Sequence, residues 1–410
     1  MNANRDRVDA VIAGGGMVGM TLALALAQGG LRVVIADPVL PETMEDERFD
    51  GRVSALAFAS VRMFKVLGLW DMLAKDAQPI DDIVVSEGRM GAKPSPFSLH
   101  FDHHEIGEKL GYILENRHIR QALFKAAARE KNIALASGVS IERIAIEPTR
   151  AIATLSDGRE IAAALVIACE GRESALRDAQ GIGAVGWDYA QTGIVTTVAH
   201  EEPHRGVAYE HFMPTGPFAI LPMTGNRSSL VWTEETSIAR KLLALPEDGF
   251  GAEIARRFGA HLGAVKPVGP RWSYPLKLHL ARAYVKNRFA LAGDAAHTIH
   301  PLAGQGLNLG LKDVAALAET VLDAARLGLD FGQAEVLARY ERWRRFDSFV
   351  LAVATDSLNR LFSNDFGPLR WARDVGMGVV DQITPLRRFF MREAGGDLGN
   401  LPRLLRGEAA

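Results

Sequence analysis

An apolar run near the start of the chain, Ala10 to Ala27, is interrupted by Gly14-Gly15-Gly16. Preceded by Arg5 and Arg7, such a run mimics a signal peptide or a membrane helix. Glycine is unfavourable inside a helix, by roughly 1 kcal/mol relative to alanine. The run therefore divides into a strand, Val8 to Ala13, a glycine turn, and a helix from Met17 to Gln28. A second strand follows, Leu31 to Ala36, ending at Asp37. In this order Gly14-x-Gly16-x-x-Gly19 reads as a dinucleotide-binding βαβ unit. Gly14 makes the turn, Gly16 lets backbone approach a pyrophosphate, and Gly19 permits close packing of helix on strand. The phosphate sits on the helix N-terminus, and Asp37 is placed for ribose hydroxyls. No other stretch reads as membrane-spanning.

A matching half lies near the far end. Phe289 to Ala292 reads as a buried strand that delivers Gly293 and Asp294 to its carboxyl end. The loop that follows, through His297, His300, Pro301, Gly304 and Gly306, is rich in Gly and Pro, so backbone can come close to a ligand. From Gly306 a helical pattern places Leu307, Leu311, Val314 and Leu317 on one face. A carboxylate and a helix N-terminus converging there suit a ligand with hydroxyls and an electron-accepting ring.

The 410 residues suffice for two or three domains. A net charge of −2 gives no argument for nucleic acid. The one cysteine, Cys169, excludes an internal disulfide, fits a reducing compartment, and reads as a buried structural thiol. Between the two ends, Phe49 to Leu56 reads as opening a helix, with Arg52 either a surface charge or directed into a cofactor cleft. Ile80 to Val85 reads as a strand and Lys93 to Pro96 as a turn. Gly111 to Leu123 reads as a strand entering a helix, with Asn116 as N-cap and Arg117 and Gln121 on one face. Val139 to Leu155 suggests antiparallel strands, Ala162 to Ala168 a buried strand, and Thr192 to Thr233 a β-sheet. Thr236 to Phe258 reads as helical, as does everything after the strand at Phe289, with breaks at Gly367-Pro368 and Thr384-Pro385.

Three motifs carry a resemblance: the glycine turn at Gly14, Glu170-Gly171 with Ser174 and Arg177, and Gly293-Asp294. With them the chain resembles the class A flavin-dependent aromatic hydroxylases of the p-hydroxybenzoate hydroxylase fold. Glu115 to Arg120, His300 to Gly310 and Thr355 to Asp365 make it most similar to the ubiquinone-biosynthesis hydroxylases, over about Val8 to Gly396. One departure is Glu170, where the family has Asp. It keeps the charge but moves it by one carbon–carbon bond, about 1.5 Å.

The resemblance implies an α/β fold: a Rossmann-like FAD-binding domain, an inserted antiparallel β-sheet substrate domain, and C-terminal helices. The expected division is 1–75, 100–180 and 282–330 for the FAD-binding domain, 76–99 and 181–281 for the substrate domain, and 331–410 for the helical segment. It also implies an FAD-dependent monooxygenase that hydroxylates a polyprenylated phenol of ubiquinone biosynthesis through a hydroperoxyflavin. Molecular oxygen would be the oxidant and NAD(P)H a transient reductant. Gly14, Gly16, Gly19 and Asp37 would hold the pyrophosphate and adenosine ribose. Arg52, Arg117 and Gln121 would contact ribityl or phosphate oxygens, and Asp294 the ribityl chain. Glu170 and Gly171 would serve the cleft, and Gly304, Gly306, Leu307 and Asn308 the flavin ring. No metal is expected. No catalytic base is identifiable; His211, His297 and His300 are candidates by location only. Two other classes are an FAD-dependent prenyl reductase or dehydrogenase and a non-catalytic scaffold of a quinone-synthesis complex. Arg387, Arg388 and Arg392, with Arg360, Arg370 and Arg373 upstream, sit among apolar residues. They read either as solvated charges on helices that cover the FAD domain, or as a peripheral contact with a membrane or a quinone-biosynthesis complex. The expected location is cytoplasmic, peripheral on the inner face of the membrane.

Overall fold

The structure is a computed structural model describing residues 7–88, 98–301, 304–362 and 380–410. Two large sheets dominate it. The first has eight strands. Its path runs Val285–Lys286, Phe289–Leu291, Glu160–Ala168, Arg7–Ala13, Val33–Asp37 and Ile133–Ser137, and Ala151–Leu155 and Ile141–Ile146 continue it off Glu160–Ala168. The strands from Phe289–Leu291 to Ile133–Ser137 are all parallel. A parallel sheet covered on both faces needs continuously apolar strands rather than alternating ones. Accordingly Ala10 to Ala13, Leu165 to Ala168 and Phe289 to Leu291 are no more than 2% exposed. Helix Met17–Gln28 packs against the long helix Gly306–Arg326, whose Leu311, Val314 and Leu317 are fully buried.

The second sheet has nine strands, on a path from His297–Thr298 through Trp272–Ala281, Ala184–His200, Arg227–Glu235, Gly216–Met223, Val207–Met213 and Asp82–Glu87 to Ser98–Asp102, with Val265–Pro267 beside Ala184–His200. Helices Thr236–Leu243 and Glu247–Phe258 cover one face, where Phe218, Trp232, Phe250 and Ile254 form a core. The other face meets a three-stranded sheet of Val53–Ala57, Gly111–Glu115 and Gln78–Ile80 through Ala208, Met223 and Ile113. Helices Ala334–Phe362, Thr384–Ala394 and Arg403–Arg406 complete the described chain.

Local readings differ from the structure at five places. Val53–Ala57 is a strand rather than the start of a helix, because Gly111–Glu115, remote in sequence, pairs with it; the helix begins at Phe58. Ile80 to Val85 is two strands in different sheets, divided at Asp81, where the chain crosses from one sheet to the other. Asn116 is inside its helix, with Glu115 at the N-cap; its side-chain oxygen instead accepts from Ser54 Oγ at 2.7 Å. Thr236 to Phe258 is two helices, because Pro246 cannot continue the first. His297–Thr298 is a short strand, recruited by Leu280 and His279. The turn at Lys93–Pro96, Gly367-Pro368, Arg370 and Arg373 lie outside the described residues.

Candidate functional site

The glycine turn is fixed by contact. Gly14 has φ +102°, and a Cβ there would lie 2.5 Å from the Cys169 carbonyl oxygen. A Cβ on Gly19 would lie 2.0 Å from the Gly14 carbonyl oxygen. Only glycine lets the strands Arg7–Ala13 and Glu160–Ala168 and the helix Met17–Gln28 meet this closely. Gly16 differs: a Cβ there would meet nothing within 4 Å. It is the N-cap of a helix with no side-chain cap, so its first N–H groups face outward. Asp37 braces the turn, accepting from Gly15 N at 2.5 Å and from Val39 N at 2.7 Å. Cys169 is half-buried, and burial pushes its thiol pKa up.

At the carboxyl end of Phe289–Leu291 the chain makes a tight turn, Gly293–Ala295. Gly293 and Gly310 both pack on Val18, where a Cβ would come within 3.2 Å and 2.7 Å of its methyls. The glycine turn and the Gly-Asp turn are thus neighbours. Asp294 is exposed, on the wall of a cavity of about 150 Å³ that Arg172, Tyr274, Lys277, His297, Pro301 and Gly306 also line. Protein surrounds it closely enough that burial raises its carboxyl pKa, against the pull of His297 and Arg172. Helix Gly306–Arg326 starts beside it without a side-chain cap. A Cβ on Gly306 would meet nothing within 4 Å, so the backbone there is approachable. Leu307 is half-buried. Asn308 turns its side chain away, accepting from Ala57 N and Ser60 Oγ at 2.9 Å each and donating to Ala55 O at 2.8 Å. Only its backbone is left for a ligand. Gly304, at φ +64°, abuts Ala55, whose Cβ would be 3.3 Å from one on Gly304.

Arg52, Arg117 and Gln121 gather around the segment 45–52. Arg52 pairs with Asp50 at 2.7 Å and lies 4.9 Å over the Trp272 ring. Arg117 donates to Glu115 at 2.7 Å and to the Glu47 carbonyl, and Gln121 donates to the Glu45 carbonyl at 3.3 Å. Glu115 also accepts from Arg227 at 3.2 Å, tying this region to the second sheet.

Glu170 folds back over the short helix Ala175–Ala179, accepting from Ser174 Oγ at 2.6 Å and from Leu176 N at 3.3 Å. Burial raises its carboxyl pKa more than these bonds and Arg177 lower it. Gly171, at φ +88°, leaves open space where a Cβ would be. Arg177 reaches the Arg172 carbonyl at 2.9 Å and His279 Nε2 at 2.8 Å, joining this motif to the second sheet.

The three histidines part company. His211 lies on the helix-covered side of its sheet, bonded to Ser86 Oγ at 2.9 Å, and burial pushes its pKa down to about 4. It does not face the cofactor motifs. His297 lines the cavity but gives Nε2 to Asp313 Oδ2 at 2.6 Å. His300 is fully buried, with neither ring nitrogen bonded among the described residues, edge-on to Tyr189 at 5.2 Å, and burial pushes its pKa down to about 4.

Asp313 is the residue that sequence reasoning passed over. Fully buried, it accepts from Gly293 N at 2.9 Å, His297 Nε2 at 2.6 Å and Arg344 Nε at 2.8 Å. Burial alone would raise its carboxyl pKa, but His297 and Arg344 outweigh burial and hold it below the ordinary aspartate range. Its signal was a lone acid inside an apolar helix face. Asp102, His103 and His104 form a cluster at the outer edge of the second sheet, where Asp102 accepts from His104 Nδ1 at 2.7 Å.

Two uncapped helix starts with approachable backbone, a braced acid after the second strand and a carboxylate over a cavity fit a dinucleotide with a polyhydroxyl arm and a ring. The comparisons agree. Residues 7–346 match the family described as FAD binding domain, and the chain belongs to that family of flavoproteins. Among the curated proteins it is similar to ubiquinone hydroxylase UbiL of Rhodospirillum rubrum, 49% identical and aligned over 99% of this chain and 95% of that one. It is 36% identical to the 3-demethoxyubiquinol 3-hydroxylase of Escherichia coli, over 94% of this chain and 97% of that one. Among solved structures, p-nitrophenol 4-monooxygenase PnpA from Pseudomonas putida shares the fold, with TM-score 0.79 at 19% identity over 97% of this chain and 100% of that one.

Proposed function

We propose that this chain is an FAD-dependent monooxygenase that hydroxylates the aromatic ring of a polyprenylated phenol in ubiquinone biosynthesis. The observation that carries it is full-length similarity to two ubiquinone-pathway hydroxylases in a chain whose glycine turn and Gly-Asp turn pack together through Val18. In this reading residues 1–75, 100–180 and 282–330 hold the cofactor, 76–99 and 181–281 the substrate, and 331–410 cover them. The turn Gly14 to Gly19 receives the pyrophosphate, Asp37 the adenosine ribose, and Asp294 a ribityl hydroxyl. The free N–H groups of Gly306, Leu307 and Asn308 stabilise negative charge on the ring's pyrimidine side. Arg52, Arg117 and Gln121 contact ribityl or phosphate oxygens of the same cofactor. When bound and reduced by NAD(P)H, FAD supplies activation of molecular oxygen and transfer of one oxygen atom to the ring. The apolar face of the second sheet keeps water out.

Purified protein incubated with NAD(P)H and a short-chain prenylphenol under ¹⁸O₂ should give a product carrying one labelled oxygen. Reductant consumption without a labelled product would point instead to a reductase. Asp294→Ala should weaken flavin binding more than tenfold, since a hydrogen bond to a charged group is worth about 1.5–3 kcal/mol. An unchanged Kd would reduce Asp294 to a turn former.

Among the described residues no helix is long and apolar enough to cross a membrane. We propose that the prenylated substrate is met through a peripheral contact by helix Thr384–Ala394. There Phe389 and Phe390 are 52% and 42% exposed, beside exposed Arg388 and Arg392. Arg387 is engaged with Glu105 at 2.8 Å and is not part of this surface. Wild type should co-sediment with anionic liposomes at low salt, and Arg388→Glu/Arg392→Glu should stay in the supernatant, each charge being worth about 1 kcal/mol near such a surface. Equal sedimentation of both would remove this helix from the contact.

A further inference from the structure

Strand Val207–Met213 carries a carboxyl that neither the fold nor the cofactor seat accounts for. Side chains alternate along a strand. Tyr209 and Met213 join the core under the helical cover, and His211 stacks on Tyr209 on that side. Ala208 and Phe212 face the other way: Ala208 into the cluster with Ile113, Val53 and Ala55, Phe212 onto the ring of Phe362 at 4.1 Å. Glu210 sits between them on this inner face, with Ala219 and Val85 as its cross-strand neighbours. It is half-buried and has no hydrogen-bond or ion-pair partner among the described residues. A carboxyl among apolar side chains is costly without a partner, and burial pushes its pKa up to about 8.

The charged groups on the elements packed here leave it alone. Arg227 is held by Glu115, Arg387 by Glu105 and Arg360 by Asp356. Glu87, opposite Phe212 on the next strand, is a second acid on this face. Two described residues of the ligand loop bear on this region: Pro301 lines the cavity, and Gly304 abuts Ala55, a member of the cluster that holds Ala208.

We propose that Glu210 is the general base that takes the phenolic proton of the ring substrate, an inference that rests on the hydroxylase reading. The phenol O–H bond breaks and its electron pair stays on the phenol oxygen. The proton forms a new O–H bond on the Glu210 carboxylate. The resulting phenolate pushes electron density into the ring, which makes the carbon to be hydroxylated a better nucleophile; the proton returns to the product. An ordinary glutamate would be too weak a base for a phenol of pKa about 10, whereas a carboxyl raised by its apolar surroundings is better matched. Because the base acts deprotonated, hydroxylation should rise with pH and level off above the Glu210 pKa.

The test uses flavin-loaded wild type, Glu210→Gln and Glu210→Leu with a short-chain 2-prenylphenol. Flavin content, reductant-driven oxygen consumption and hydroxylated product are followed from about pH 6 to about pH 10. Wild-type product formation should climb and plateau across this range. Both variants should keep their flavin and their oxygen consumption, lose the climbing limb, and form product about a hundredfold more slowly or worse. Their deficit should shrink with a prenylphenol acidified by ring fluorine, which needs no base. Equal product yield and an unchanged pH limb in Glu210→Gln would overturn the proposal. So would a loss of flavin in step with product, which would mark a structural role. If wild type itself makes no hydroxylated product, the hydroxylase reading fails and this inference falls with it.

Discussion

Gly14→Val is expected to yield folded protein that purifies without flavin. Gly14 holds φ +102°, a region that β-branched side chains essentially never occupy. The new Cβ would also lie 2.5 Å from the Cys169 carbonyl oxygen, where the backbone of Glu160–Ala168 cannot give way without disturbing its parallel pairing with Arg7–Ala13. The turn must therefore open, and the helix start that receives the pyrophosphate moves with it. Flavin absorbance per mole of purified protein measures the loss, and far-UV circular dichroism checks that the fold survives. Gly16→Ala is the internal contrast, since a Cβ there meets nothing within 4 Å; it should fold normally and lose affinity only through a closer approach to the phosphate. Normal flavin content in Gly14→Val would mean that the cofactor does not sit on this turn.

The second large effect is expected at Asp313. Asp313→Ala removes the acceptor shared by Gly293 N, His297 and Arg344, and leaves Arg344 charged and buried. Breaking one side of a buried pair costs about 3–5 kcal/mol when the remaining charge is uncompensated. Asp347 also pairs with Arg344, so the loss should lie toward the lower end of that range. Denaturant unfolding should show that loss, and flavin affinity should fall as well, because Gly293 N anchors the turn that carries Asp294. Asp313→Leu/Arg344→Met should be markedly more stable than Asp313→Ala, since it removes both charges. If the double variant is no better, the pair is not what makes the site costly to break. The pH dependence follows from the depressed carboxyl pKa. The stabilisation is present above the unfolded aspartate pKa of about 3.9 and fades as pH falls below it through the lower folded value.

Glu170 shows how a motif can be legible while its detail is not. The acid, Ser174 and Arg177 stand out in the sequence, but only the structure shows the carboxylate accepting from Ser174 Oγ and Leu176 N at the start of a short helix. Asn308 and His211 make the same point. Their positions in the chain suggested a ligand, yet the side chain of one is occupied by Ala55, Ala57 and Ser60, and the other turns to the helical cover.

The sequence by itself determined the parallel sheet, the glycine turn, the Gly-Asp turn and the family. These rest on local requirements: unbroken apolar runs for strands covered on both faces, and glycine where a Cβ would strike backbone. Helix Met17–Gln28 and the start of Gly306–Arg326 were readable for that reason. Tertiary structure alone decided that Val53–Ala57 is a strand, that Asp313 joins Gly293, His297 and Arg344, and that Glu210 faces inward while His211 faces the helices. Each of these depends on which distant segment supplies the neighbour. A strand's two faces are chemically equivalent until a helical cover or a ligand loop is laid against one of them, and that choice is made by packing rather than by any local pattern.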